Sequence, residues 1–447
     1  MFKLRKYKLT YTQMSAIGFM LIILIGACLL SLPIASKAGV ATPFIDALFT
    51  SASATCVTGL VVYDTFTHFS VFGQVVILAL IQIGGLGFMA VATLFSLMLR
   101  RKIGLRERGL LQESVSTIHI GGVVRMTKHI LIGTLIFEGI GAVFLSLRFI
   151  PEMGLGKGIY NGVFHSISAF CNAGFDLMGR FEPGSSLTRY SGDYLVNIVV
   201  MALIIIGGIG FFVWEDIWKN KWQFSRYHLH TKIVVVITTL LIFVPTLLFY
   251  GMEKNNTLAG MSGPHAMLAS FFQAVTPRTA GFNTIPIGEL TEGSALLTMV
   301  LMIIGGCPGS TAGGIKTTTF VVIILSFISS INHTEDLNIF NRRLEPSIEK
   351  RAYSVITTYL IGSTLAVLLI CMIQPLPLKE VFFEVLSALS TVGMSMGITS
   401  KLNAISKFMI ALVMFCGRVG SLSVALAFAE KKVAVPIRQP IEKIAIG

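Results

Sequence analysis

Four glycines, Gly59, Gly174, Gly281 and Gly393, close four copies of one short pattern: FTSASATCVTGL, FHSISAFCNAGF, FFQAVTPRTAGF and FFEVLSALSTVGM. Written over one another the copies align without a gap, with Phe49, Phe164, Phe271 and Phe383 each ten residues before the glycine. Before the glycines stand Val57-Thr58, Asn172-Ala173, Thr279-Ala280 and Thr391-Val392. Glycine lets a backbone present its carbonyls at φ values that a Cβ forbids. The chemistry that uses such carbonyls is coordination of a dehydrated monovalent cation. A ring of backbone oxygens replaces the ion's water without a net charge that would trap it. Thr391-Val392-Gly393 spells the TVG core of a potassium filter, and the other copies are degenerate versions of it. A lone TVG is a weak signal, whereas four aligned copies are a strong one. The bland alternative is a set of glycines closing tight extracellular turns.

The second helix of each unit carries another repeated string: IGGLGF (83–88), IGGIGF (206–211), IGGCPG (304–309) and CGRVGS (416–421). In the first two copies, close packing through small residues is the preferred explanation. The third copy runs Gly305-Gly306-Cys307-Pro308-Gly309-Ser310-Thr311-Ala312-Gly313-Gly314 in the middle of a 38-residue run. Proline and five glycines in ten residues cannot stay helical. An unwound, mobile stretch inside the membrane is expected there, acting as a gate, with Lys316 snorkelling towards the cytoplasm. The fourth copy carries Arg418 in place of the second glycine, too deep to snorkel. A charge at that depth costs about 3 kcal/mol or more and marks a functional position. It is expected to latch the loop through its carbonyls, or to staple helices together. Arg278, beside the third glycine, is read as a brace for the extracellular turn. The string GSTAGGIKT (309–317) only imitates a phosphate loop, because Ile315 separates the glycine from the lysine and no strand precedes it.

These patterns need elements to hold them. The chain is 54% hydrophobic and 13% charged, against about 25% charged in soluble domains, so it is a membrane protein. Eight runs have the length to span about 30 Å of hydrocarbon: 12–35, 70–99, 127–150, 193–218, 231–252, 293–330, 353–374 and 405–430. Between members of each pair lies a half-apolar stretch too short to cross: 43–55, 158–171, 264–276 and 379–390. Each ends at a repeated glycine. The expected fold is all-α: four parallel helix–pore helix–filter–helix repeats around a pseudo-fourfold central pore. The repeats are placed at 1–109, 110–225, 226–345 (with the intramembrane gate loop) and 346–447 (with a cytoplasmic tail). Pore helices ending near the axis direct their negative dipole ends at a cation.

The net charge of +13 does not signal nucleic acid, because the basic residues cluster in every second connection. That is the positive-inside pattern, and it places both termini in the cytoplasm. The long basic connection from Arg100 to Lys128 is a candidate contact for a cytoplasmic partner. The six cysteines form no CxxC pair and are read as packing residues. A membrane-embedded hydrolase is disfavoured, since His165 is the only histidine near the repeated cores and fits a hydrogen-bonded structural role. An alternating-access symporter predicts inverted repeats and paired carboxylates, yet the repeats are parallel and no obvious partner faces Glu138.

The four filter glycines, the loop at 305–316 and Arg418 resemble those of the Trk/Ktr/HKT superfamily of potassium-uptake proteins, over nearly the whole chain. The resemblance implies potassium uptake across a bacterial plasma membrane, assisted by sodium as an activator, with no covalent cofactor. It implies K⁺ at the filter carbonyls, a homodimer of pores, and a cytoplasmic nucleotide-binding ring subunit of the RCK/KTN type. The family's filter glycines fall on Gly59, Gly174, Gly281 and Gly393, and its gate on 305–316 and Arg418. Some relatives with serine at the first filter position prefer sodium, so Gly59 argues for potassium. A sodium-preferring member and a midplane symporter are the alternatives carried forward. The chain carries no ATP-binding module and is expected to be no enzyme.

Overall fold

A computed structural model of the chain describes residues 10–87, 123–221, 223–334 and 336–420, together with 440 and 442. The first unit consists of α1 (Tyr11–Leu30), α2 (Phe44–Thr55) and α3 (Val71–Leu86). The second consists of α4 (Val123–Met153), α5 (Leu155–Phe170), α6 (Tyr194–Gly208) and α7 (Phe211–Asn220). In the third are α8 (Leu229–Glu253), α9 (Gly263–Val275), α10 (Glu292–Ile303) and α11 (Thr317–Ile331), and in the fourth α12 (Pro346–Ile373), α13 (Leu378–Leu389) and α14 (Ala404–Val419). A two-residue antiparallel ladder, β1 (Asn338–Ile339) with β2 (Arg342–Arg343), joins the last two units.

Each unit opens on a long helix, and α1, α4, α8 and α12 are apolar enough and long enough to cross a membrane. Their outward faces stay bare: Leu135, Leu147, Leu247 and Met372 are 60 to 82% exposed. Lipid is the solvent that makes such a surface stable. The short helices α2, α5, α9 and α13 have 12, 16, 13 and 12 residues, about 18–24 Å at 1.5 Å per residue. Pro43, Gly154, Ser262 and Pro377 precede them. Proline before or at the first helical turn costs no hydrogen bond and sets φ for entry. Each helix therefore starts within the layer and ends at its glycine turn.

The second crossing of each unit departs from the expected eight continuous runs. Helix α3 stops at Leu86, with Gly87 at φ +81°. The α6 helix ends at Gly208, and the chain bends by 97° across Gly210 (φ +96°) into α7. Helix α10 ends at Ile303, and α14 ends at Val419 with Gly420 at φ +96°. The break belongs to all four copies of the second string, not to the proline-bearing third alone. In copies one, two and four the break falls at or next to a glycine of positive φ, Gly87, Gly210 or Gly420, where an L side chain is strained; in copy three the helix already ends at Ile303, ahead of the glycine- and proline-rich stretch. Residues 88–99 and 421–430 lie outside the described residues, as does most of the candidate partner-contact connection.

Packing through small residues operates as well. A Cβ on Gly84, Gly207 or Gly417 would come within 2.0, 2.0 and 2.1 Å of the carbonyl oxygens of Thr55, Phe170 and Leu389. Those are the last residues of α2, α5 and α13, so each second helix lies directly against the end of its own short helix. The ring closes between the last unit and the first. Lys407 Nζ of α14 pairs with Asp46 Oδ1 of α2 at 2.6 Å, and Tyr63 Oη donates to Asp46 Oδ2 at 2.9 Å.

Candidate functional site

The four glycine turns share one backbone conformation. Two residues before each glycine the chain is left-handed, with φ of +58°, +60°, +69° and +53° at Val57, Asn172, Thr279 and Thr391. The glycines follow at +98°, +69°, +76° and +92°, while Thr58, Ala173, Ala280 and Val392 between them keep ordinary negative φ. Positive φ at β-branched Val57, Thr279 and Thr391 is strained, and strain of this kind concentrates at functional sites. Alternating handedness turns successive peptide groups the same way. The N–H groups of Thr58, Ala173, Ala280 and Val392 donate outward to the carbonyls of Ser53, Ser168, Thr276 and Ser387 at 2.8 to 3.0 Å. In a trans peptide the carbonyl opposes the N–H. The carbonyls of Val57, Asn172, Thr279 and Thr391 therefore face away from the short helices, towards the centre.

The turns close on one another as a ring. A Cβ on Gly59 would meet Ala173 O at 2.5 Å, and one on Gly174 would meet Ala280 O at 2.7 Å. One on Gly281 would meet Val392 O at 2.4 Å, and one on Gly393 would meet Thr58 O at 2.1 Å. Each unit thus leans on the next, and the fourth on the first. All four glycines line one cavity of about 230 Å³, together with Asp64 and Asp176. Uncharged oxygens in a closed ring under a wet mouth are what a dehydrated cation needs.

The third copy corrects the gapless alignment. Its buried aromatic is Phe272, not Phe271, in line with Phe49, Phe164 and Phe383. Its anchoring hydroxyl is Thr276, which donates to Phe282 O at 2.6 Å as Ser168 donates to Phe175 O at 2.7 Å. In copies one and four the anchors Ser53 and Ser387 instead accept from the filter glycine N–H, at 3.1 and 3.0 Å. The third turn is one residue shorter between anchor and glycine. The Phe271-Phe272 doublet hides this, because Phe271 satisfies the ten-residue spacing while Phe272 fills the core.

Residues 304–316 form a non-helical loop below the ring, as the glycines and proline predict. Ile304 and Ile315 pair, with Gly305 N–H donating to Ile315 O at 2.9 Å and Thr317 N–H to Gly306 O at 3.1 Å. The loop docks on the broken second helix of unit two: Cys307 N–H donates to Gly208 O at 3.0 Å, and Phe211 N–H to Gly309 O at 2.8 Å. The break in copy two is therefore a seat for the loop as well as scaffold. Thr311 Oγ1 donates to Phe170 O at 3.2 Å. A Cβ on Gly313 would lie 2.0 Å from Thr391 Oγ1 in the fourth filter strand. Arg418 donates to Thr311 O and also to Gly84 O and Gly85 O in unit one. A segment tied directly to units two and four, and to unit one only through Arg418, occupies the centre. Ser310 braces it internally, donating to Cys307 O at 2.7 Å, while Pro308 and Gly314 (φ +69°) shape its turns.

Three side chains differ from their sequence-based expectations. Lys316 does not extend to the cytoplasm; its Nζ folds back to Ala312 O at 2.8 Å and Gly313 O at 3.4 Å. Carbonyls left free by the unwound loop offer it better partners than the membrane edge does. Arg278 does not brace the outer turn either: its side chain is buried and contacts Cys307 and Thr238. Glu138 does have a facing partner, Gln82 Nε2 of α3, at 3.1 and 3.2 Å. Spacing alone does not bring α3 to α4, so this pair was invisible in the chain. His165 fits a structural role, accepting from Leu177 N–H at 3.3 Å through Nε2, with Nδ1 2.8 Å from Asn161 O.

In the outer mouth, burial pushes the Asp176 carboxyl up to about 7, with nearby Asp64 adding to the rise and the Met178 N–H opposing it. Above that pH the group is ionised and draws cations to the ring; below it the charge is lost. Uptake at subsaturating ion is expected to fall about two- to threefold as the outer pH drops from 8 to 6. Asp176→Asn should make the profile flat, as checked by vesicle uptake with the outer buffer varied.

A profile of the TrkH family, described as cation transport proteins, matches residues 12–434. The chain is 42% identical over 442 residues to the Ktr system potassium uptake protein B of Bacillus subtilis (strain 168), covering 98% of this chain and 97% of that protein. It is 38% identical over 447 residues to the potassium/sodium uptake protein NtpJ of Enterococcus hirae, covering 98% of each. The crystal structure of the potassium transporter TrkH from Vibrio parahaemolyticus superimposes with a TM-score of 0.74 at 18% identity, over 96% of this chain and 87% of that one. This last likeness bears on the fold.

Proposed function

Because the chain belongs to the TrkH family of cation transport proteins, we propose that it moves potassium into the cell through the ring of Gly59, Gly174, Gly281 and Gly393. It is a multi-pass membrane transporter and not an enzyme. The carbonyls of Val57, Thr58, Asn172, Ala173, Thr279, Ala280, Thr391 and Val392, with those of the glycines, are the ion ligands. The observation that carries this reading is the closed contact of each glycine turn with the next. The loop of Gly305, Gly306, Pro308, Gly309, Ser310, Thr311, Gly313, Gly314 and Lys316, held by Arg418, is the gate below the filter. Its hydrogen bonds to unit two and to Arg418 of unit four, which also grips unit one, support that role.

Four units at 1–109, 110–225, 226–345 and 346–447 build one pore. Both termini lie in the cytoplasm, in keeping with the basic clusters in alternate connections. Two such chains pair, and a nucleotide-binding RCK/KTN-type ring on the cytoplasmic side moves the loop. Sodium assists uptake, in keeping with relatives named for potassium and for potassium/sodium uptake. Expression in a bacterium lacking its own potassium uptake, with external sodium varied, tests the function. Growth restored at low potassium and improved by sodium is expected. No restoration by a correctly inserted chain rejects it.

A further inference from the structure

We propose that Arg278 is a positioning residue that ties the third filter strand to the intramembrane loop, so that ion preference at the filter depends on the state of the loop. The proposal rests on the filter and gate assignments above and adds the link between them. Arg278 is 5% exposed, and it is the only lysine or arginine among the described residues to be so fully buried. It stands three residues before its filter glycine, where the other units carry Cys56, Cys171 and Ser390. A cation at that depth persists only where partners hold it.

Its partners lie on two sides. Nη2 donates to Thr238 Oγ1 of α8 at 3.2 Å, and the guanidinium lies close to Cys307 of the loop, beside a small cavity that it lines together with Gly306. The adjoining cavity, bounded by Arg278, Gly208, Gly306 and three apolar side chains, measures about 10 Å³. That is room for one water at most, so bulk solvent cannot take over the charge if the thiol leaves. Cys307 is itself locked into the loop. Its sulfur accepts from Thr317 Oγ1 at 3.2 Å, its N–H donates to Gly208 O at 3.0 Å, and its carbonyl accepts from Ser310. Cys307 therefore moves with the loop.

On the filter side no slack intervenes. Arg278 N–H is bonded to Val275 O at 3.1 Å, and the next residue is Thr279, at φ +69° in the filter. Displacing the loop removes one partner of a buried cation whose backbone adjoins a strained filter peptide. The guanidinium must then re-pair, and the third strand shifts with it. Arg418 grips the same loop at Thr311 O from the opposite side, but it belongs to a helix and not to the filter. Coupling requires an element that both sites bias, and the loop with Arg278 beside it is the element that the proposal assigns that part.

The test measures potassium half-saturation and K⁺/Na⁺ preference in reconstituted vesicles for Cys307→Ala, Cys307→Ser, Arg278→Lys and the Arg278→Lys/Cys307→Ala double variant. Cys307→Ala is expected to shift ion preference by about three- to tenfold, although Cys307 belongs to the loop and not to the filter. Cys307→Ser keeps a hydrogen-bond acceptor and should restore the wild-type value. The double variant should be no worse than Arg278→Lys alone. Unchanged preference in Cys307→Ala, or effects that multiply in the double variant, overturns the proposal. If Arg278→Lys does not fold, the Ala/Ser pair at Cys307 decides. A further variant with 309–314 replaced by a helix-forming segment separates the link from its premise. Raised flux with altered preference supports coupling, and raised flux with unchanged preference overturns coupling but spares the gate. Unchanged flux overturns both.

Discussion

Alanine in place of Gly393 is expected to raise the potassium half-saturation at least about tenfold, a loss of about 1.4 kcal/mol, and to bring K⁺/Na⁺ preference close to one. Two penalties combine. At φ +92° an L residue is disfavoured by about 1–2 kcal/mol. The new Cβ would also sit 2.1 Å from Thr58 O and 2.8 Å from Gly59 Cα. Both are backbone atoms, so no side chain can swing aside. The ring must open at the junction of the fourth and first units, which is also where Lys407 and Asp46 hold α14 to α2. A carbonyl moved by a few tenths of an ångström no longer matches the ion that it replaces water around. Gly281→Asp should act in the same way, since its Cβ would meet Val392 O at 2.4 Å. Concentration-dependent uptake of potassium and sodium by the two variants checks this. Wild-type affinity and preference in both would remove the filter from these turns.

Neutralising Arg418 is expected to release the loop. In Arg418→Gln the pore subunit alone, without its cytoplasmic partner, should pass potassium about tenfold faster or more than the wild-type subunit. The guanidinium donates to Thr311 O on the loop and to Gly84 O and Gly85 O on the end of α3. Charge-assisted bonds are worth about 1.5–3 kcal/mol each, and a glutamine amide cannot bridge three carbonyls on two elements. The positive charge itself also opposes cation passage below the ring. Initial rates of flux into vesicles holding the subunit alone measure the effect. A rate no higher than wild type, with intact folding, contradicts the latch.

The repeat was legible because glycine, aromatic and small hydroxyl residues recur at fixed spacing, and the short helices follow from stretches too brief to cross. The slip in unit three was not, because two adjacent phenylalanines satisfy either register and only burial separates Phe272 from Phe271. The breaks after α3 and α6 were hidden by continuous apolarity. IGGLGF and IGGIGF carry no proline, and a glycine that bends a helix reads the same as one that packs it. Lys316 and Arg278 were misplaced for a common reason. Their partners, the carbonyls of 312–313 and the thiol of Cys307, come into reach only once the loop has folded. The contacts of Arg418 with α3 likewise join residues more than 300 positions apart, a closure that only the ring creates.

The central claim is that a monovalent cation sits on the axis among the four glycine turns. The most direct test is a crystal structure of the subunit grown with thallium, a heavy stand-in for potassium, with anomalous scattering used to place the ion. Density is predicted inside the ring, between the carbonyls of residues 57–58, 172–173, 279–280 and 391–392 and above Gly313. Density confined to other positions, such as Asp64 and Asp176 in the outer mouth or Glu138 within the wall, with none in the ring, would contradict it.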